Sequence, residues 1–260
     1  MRILAASLVL LGLTSAVPAR APENDSPDVV IYAAASLRDA LESVAPAGER
    51  ATGAKLVFNF GPSNDLARQI EVARKADVFF SADEAWMDHL EKLGAVDAGS
   101  RSSPLSNRLV VVGRRDGSVR VASPEDLASP AIRWISLANP EAVPAGKYAK
   151  AWLEKIGQWE AVRERILPAP DVRAALAAVV AGGAEVGVVY RTDVQVSPQV
   201  RVLYEVPEGD APRVSYALAA MKDRPHLEIV RRVVAFLAGA ESAALFEKLG
   251  FIVTHTGGAH

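Results

Sequence analysis

Short apolar runs, each giving way to a stretch of helical spacing, constrain this chain more than any other feature of it. Val29–Ala33 is the first such run, and Leu37, Ala40, Leu41 and Val44 follow it at the three- and four-residue spacing of a buried helix face. Leu56–Phe60 leads in the same way into Leu66, Ile70 and Ala73, and Asp77–Phe80 into Trp86, Met87, Leu90 and Leu93. Three strand–helix units in a row predict a parallel sheet covered by helices, because parallel neighbours need a crossover between them. The pattern restarts at Leu109–Val112. Strand-like runs at Ile132–Leu137 and Val186–Tyr190 bracket helices near Tyr148–Ile156 and Val172–Val180. Val200–Val206, Val214–Ala220 and a closing helix over Leu227–Leu237 complete the series.

Two such α/β groups predict two lobes, each a mostly parallel sheet flanked by helices. No Gly/Ser run separates them, and the joins fall at strand-like segments near Asn107–Val111 and Arg213–Ala217, so a two-stranded hinge is expected. The division this implies is 28–107 with 214–260 for the first lobe and 108–213 for the second. Open α/β sheets bind ligands outside the carboxyl ends of their strands, which places the expected cleft between the lobes.

The amino end reads as an export signal. Arg2 supplies a positive start, Ile3–Val17 carries no charge, and Val17-Pro18-Ala19 offers small residues before a cut ahead of Arg20. Thr14-Ser15-Ala16 is the rival cleavage site. The apolar run is shorter than the ~20 residues that a membrane span needs. Residues 1–19 are therefore expected to be removed, leaving a Pro-rich tether at 20–27 and a periplasmic protein. With no cysteine in the chain, thiol catalysis, zinc–thiolate sites, iron–sulfur clusters and lipid attachment through an N-terminal Cys are not expected. Lys and Arg number 29 against 31 Asp and Glu, a net charge of −2 with no basic block, which argues against nucleic acid or an anionic membrane as partner.

Enzyme signatures are missing as well. There is no Gly-x-Ser-x-Gly elbow, Walker A or Gly-x-Gly-x-x-Gly pattern, and His89, His226, His255 and His260 are scattered without metal-ligand spacing. The informative residues sit instead where strands turn into helices. Ala33-Ala34-Ala35-Ser36-Leu37 places Ser36 at a helix N-cap, and Gly61-Pro62-Ser63-Asn64-Asp65 does the same for Ser63. Pro144 falls near a first helical position and exposes the N–H groups of Ala145 and Gly146, while Asp171 caps a helix beside the Val172 N–H. Tyr190 ends an apolar strand, so its phenol emerges at the sheet's carboxyl edge. Each feature alone is an ordinary cap or rim residue. Together, Ser36, Ser63, Ala145, Val172 and Tyr190 make a donor set without a cation, suited to a tetrahedral dianion at converging helix N-termini. Arg38 and Lys147 read as solvated surface charge, and Asp65 adds a carboxylate to the first turn of the second helix.

The same motifs carry a family resemblance. Ala-Ala-Ala-Ser-Leu at 33–37, Leu66–Ile70, Ala76–Phe79 with Ser81-Ala82-Asp83, Asn139-Pro140 with Val143–Gly146 and Tyr148-Ala149, Asp171-Val172-Arg173, and Val189-Tyr190 with Thr192-Asp193 occur in one order. In that order the chain resembles the periplasmic molybdate-binding proteins of ATP-binding-cassette (ABC) importers. The resemblance implies the type II solute-binding fold, with Ser36, Ser63, Ala145, Val172 and Tyr190 as ligand contacts. It also implies molybdate or tungstate as ligand, no catalytic activity or cofactor, no metal held by direct coordination, and a monomer that meets the permease's membrane subunits. Sulfate or another small oxyanion is the alternative ligand, and an enzyme on the same fold a more distant one. Pro62, which has no N–H to donate, and Asp65 depart from the family's usual second turn.

Overall fold

The computed structural model describes residues 26–254. The expected export signal at 1–19, most of the tether, and His255 and His260 lie outside the described residues. β1 (Asp28–Ala34), β2 (Lys55–Gly61) and β3 (Val78–Ser81) alternate with α1 (Arg38–Thr52), α2 (Ser63–Ala73) and α3 (Glu84–Lys92), and β4 (Ser102–Ser106) follows. The second group comprises β5 (Leu109–Arg114), β6 (Ile135–Ala138), α4 (Pro144–Lys155), α5 (Trp159–Val162), β7 (Ile166–Ala169), α6 (Val172–Val180), β8 (Val186–Tyr190), α7 (Arg191–Gln195) and β9 (Val200–Glu205). The chain then returns through β10 (Tyr216–Ala220), α8 (Leu227–Ala238), α9 (Ala240–Lys248) and β11 (Ile252–Val253).

Two sheets result, in the order β11-β4-β10-β3-β1-β2 and β7-β6-β8-β5-β9. In the first, β10 and β11 run against the other four strands; in the second only β5 is reversed. Each lobe is thus a mostly parallel sheet flanked by helices. β3, β6, β8 and β10 are buried along their whole lengths, as strands covered on both faces must be, and their apolar runs reflect it. Helix seating is close in the second lobe. A Cβ on Gly187 of β8 would lie 2.8 Å from Val179 Cγ2 of α6, so glycine lets that helix settle on its strand.

The chain crosses between the sheets twice, at Asn107–Arg108 and over residues 206–215. The crossings run side by side: Val206 N–H donates to Leu109 O at 3.2 Å, and Ser106 Oγ donates to Val214 O at 2.6 Å. Several expected boundaries move. The run Ile132–Leu137 becomes a strand only from Ile135, and Val214–Ala220 only from Tyr216. β4, β7, β11, α5, α7 and α9 are additional to the elements expected.

Candidate functional site

The five residues singled out from the sequence all follow or end a strand at the same end of its sheet. Ser36 comes just after β1, Ser63 after β2, Ala145 after β6, Val172 after β7, and Tyr190 is the last residue of β8. β1 and β2 are parallel, and so are β6, β7 and β8, so these ends meet where the two lobes face each other. They line one small cavity. The space there open to the centre of a water molecule is only about 20 Å³. Allowing for the water's own ~1.4 Å radius, the hollow is roughly 3 Å in radius, room for one small polyatomic ion.

Local structure explains how each donor is presented, and two positions differ from expectation. Ser36 is not an N-cap: it lies inside a 3-10 turn, Ala35–Leu37, that precedes α1, and its hydroxyl contacts Tyr216 Oη at 3.1 Å instead of the backbone. Ser63 is the first residue of α2 and Pro62 is its cap, so proline's missing N–H falls where no helical hydrogen bond is needed. The Ser63 hydroxyl accepts from Ala82 N–H at 3.0 Å. Pro144 opens α4 as expected, which presents the Ala145 N–H unpaired. Asp171 caps α6 by accepting from Ala174 N–H at 2.9 Å. α2, α4 and α6 therefore direct three N-termini at one hollow, each contributing partial positive charge.

No Lys or Arg lines the cavity among the described residues. Arg38 lies over the Phe60 ring at 4.4 Å and Lys147 over the Trp86 ring at 5.2 Å, and neither belongs to the lining. Asp65 is also absent from the lining; its carboxylate accepts from Asn64 Nδ2 at 2.7 Å and sits 3.9 Å from Arg68. Asp171 is the one carboxylate in the wall, and its capping bond ties it down. Tyr190 is 1% exposed, and its hydroxyl has no hydrogen-bond partner among the described residues. Burial pushes the Tyr190 phenol well above its ordinary pKa, with Tyr216 and nearby carboxylates adding to the effect, so it holds its proton. The lining thus combines protonated hydroxyls and backbone N–H groups, which donate, with Asp171 as its one carboxylate among the described residues.

Contacts across the cleft hold the lobes together. Arg173, beside Val172 on α6, reaches Asp39 of α1 at 2.6 Å and also sits 2.8 Å from Asp193. The Trp86 indole N–H donates to Ala142 O of the other lobe at 3.3 Å. Tyr216 and Asn107 are the site residues that sequence reasoning missed. Neither lies in a strand-to-helix turn; Tyr216 opens β10 and meets Ser36 from 180 positions away in the chain.

Comparison with known proteins bears on the family and the fold. A family model described as bacterial extracellular solute-binding protein matches residues 29–252. The molybdate-binding protein ModA of Escherichia coli is 36% identical over 237 residues, 88% of this chain and 90% of that protein. Its namesake from Haemophilus influenzae is 34% identical over 201 residues, covering 76% and 79%. Among solved structures, the periplasmic molybdate-binding protein of Azotobacter vinelandii superposes with a TM-score of 0.78 at 22% identity, covering 87% of this chain and 99% of that one. The sulfate-binding protein SubI from Mycobacterium tuberculosis gives 0.78 at 18%, covering 88% of each. At these identities the two structures speak to the fold alone.

Proposed function

The chain belongs to the bacterial extracellular solute-binding proteins, and we propose that it captures molybdate between its lobes and delivers it to the membrane subunits of an ABC importer. Tungstate, with the same charge and shape, is proposed as a second ligand. The observation that carries this reading is the cation-free donor set around a hollow the size of one small ion. Neutral donors aimed in advance hold a dianion well, because hydrogen bonds to a charged acceptor are about twice as strong as neutral ones. Curated relatives named for molybdate support the choice of oxyanion.

The ligand contacts are proposed to be the hydroxyls of Ser36, Ser63 and Tyr190 and the backbone N–H groups of Ala145 and Val172. Lobes comprising 28–107 with 214–260 and 108–213 would part and close about the two crossings. A ligand touching both lobes favours the closed form, and the permease would read that form. The protein acts by binding alone, as an exported monomer freed of residues 1–19.

Calorimetric titration with molybdate, tungstate, sulfate and phosphate tests the reading. Tight one-to-one binding of the first two is expected, and Ser36→Ala, Ser63→Ala and Tyr190→Phe should each weaken it by about 1–3 kcal/mol. Unchanged affinity in all three variants would remove the site. Tighter binding of sulfate than of molybdate would keep the fold and replace the ligand.

A further inference from the structure

Ser36 faces the cavity with a hydroxyl that could in principle donate or accept, and its neighbours settle which. The chain of contacts begins at the first crossing between the lobes. Asn107 Oδ1 accepts the backbone N–H of Arg108 at 2.9 Å. A backbone N–H can only donate, so this bond fixes which end of the amide is oxygen. Nδ2 must then face the other way, where it donates to Thr192 Oγ1 at 2.9 Å and to Tyr216 Oη at 3.3 Å. Both of its hydrogens are used.

Tyr216 is fully buried, and its hydroxyl has two hydrogen-bonding neighbours among the described residues, Asn107 Nδ2 and Ser36 Oγ. The first is a pure donor. The phenol's own proton therefore has one acceptor, Ser36 Oγ, and burial keeps that proton in place by raising the phenol's pKa. Ser36 Oγ accepts from Tyr216, which leaves the Ser36 proton directed at the cavity it lines. Ser63 reaches the same state by a shorter route, since its oxygen accepts from Ala82 N–H.

We propose that Asn107 and Tyr216 are specificity-determining residues: they polarise Ser36 as a donor, so that the cavity favours a fully deprotonated oxyanion over one bearing a proton. The proposal rests on the oxyanion reading above. An anion with an O–H group would bring a donor against the Ser36 proton and bury one of the two unpaired. Neither residue lines the cavity. Both act through Ser36 as positioning residues, and that gives the test its form.

Wild type, Tyr216→Phe, Asn107→Ala, Ser36→Ala and the pair Ser36→Ala/Tyr216→Phe are titrated with molybdate and with inorganic phosphate at neutral pH, where every phosphate species carries a proton. Tyr216→Phe and Asn107→Ala should each weaken molybdate binding roughly tenfold and narrow the preference for molybdate over phosphate. In the Ser36→Ala background, Tyr216→Phe should change affinity by less than about twofold, because the group it orients is gone. A structural role would cost the same factor in both backgrounds, and that result would overturn the proposal while molybdate binding by wild type leaves the ligand reading intact. Should Tyr216→Phe not fold, Asn107→Ala runs the same cycle. Wild type that takes no oxyanion would overturn the ligand reading and this proposal together.

Discussion

At the scale of single residues, what a group does near the cavity depends on partners one contact further out. Asp193 illustrates this with a charge. It is fully buried, accepts from Tyr190 N–H at 3.0 Å, and lies 2.8 Å from Arg173 Nε without an aligned hydrogen bond to it. Burial raises its pKa from 3.8 to about 6, while Arg173 and the Tyr190 N–H oppose the rise. A carboxyl whose folded pKa lies above its unfolded one binds more protons when folded, so stability falls as pH rises between those values and is level above them. Asp193→Asn removes this dependence. Denaturant midpoints measured from about pH 4 to pH 7 should show wild type losing stability relative to Asp193→Asn up to about pH 6; a constant difference would refute the assignment. Ser36, Ser63 and Tyr190 were legible in the sequence because each stands where a strand ends. Tyr216 and Asn107 were not, and Asp193 stood out only as part of a family motif, since their roles come from contacts or burial that local spacing does not encode.

At the scale of elements, the site depends on where helices begin. Gly146, the third residue of α4, sits against the end of β6: a Cβ there would lie 2.1 Å from Ala138 O and 2.5 Å from Asn139 O. Backbone atoms cannot yield as a side chain does, so Gly146→Ala must push α4 outward and carry the Ala145 N–H with it. A stability loss of about 1–3 kcal/mol is expected, seen as a lowered Tm, with at least about tenfold weaker oxyanion binding. An alanine variant with wild-type Tm and affinity would show that the helix start is not held this tightly. The starts of α4 and α6 were readable from Pro144 and Asp171. The strands that escaped notice are polar, interrupted or very short: β4 reads Ser-Ser-Pro-Leu-Ser, β7 is a four-residue edge strand with Pro168 inside it, and β11 has two residues. α9 escaped because only Gly239 separates it from α8.

At the scale of the whole molecule, closure is held by few contacts, and each is modest. The Arg173–Asp39 pair spans the lobes with side chains 24% and 42% exposed, so it should contribute at most about 1 kcal/mol and be screened by salt. Asp39→Asn is expected to weaken ligand binding by up to about fivefold at low ionic strength, with the difference shrinking towards 1 M salt. Equal weakening at every salt concentration would mean that Asp39 acts through structure and not through charge. The two-lobe plan was legible because its strand–helix units repeat with no flexible linker between them. The contacts that close it were not, because they join residues more than fifty positions apart. Trp86 is one of these, with its indole N–H on a carbonyl of the opposite lobe and the Lys147 ammonium over its ring. Trp152, by contrast, is buried within its own lobe. Opening would strip Trp86 of both neighbours and leave Trp152 as it is, so the chain carries its own optical gauge of lobe position, one whose emission follows closing whichever anion prompts it.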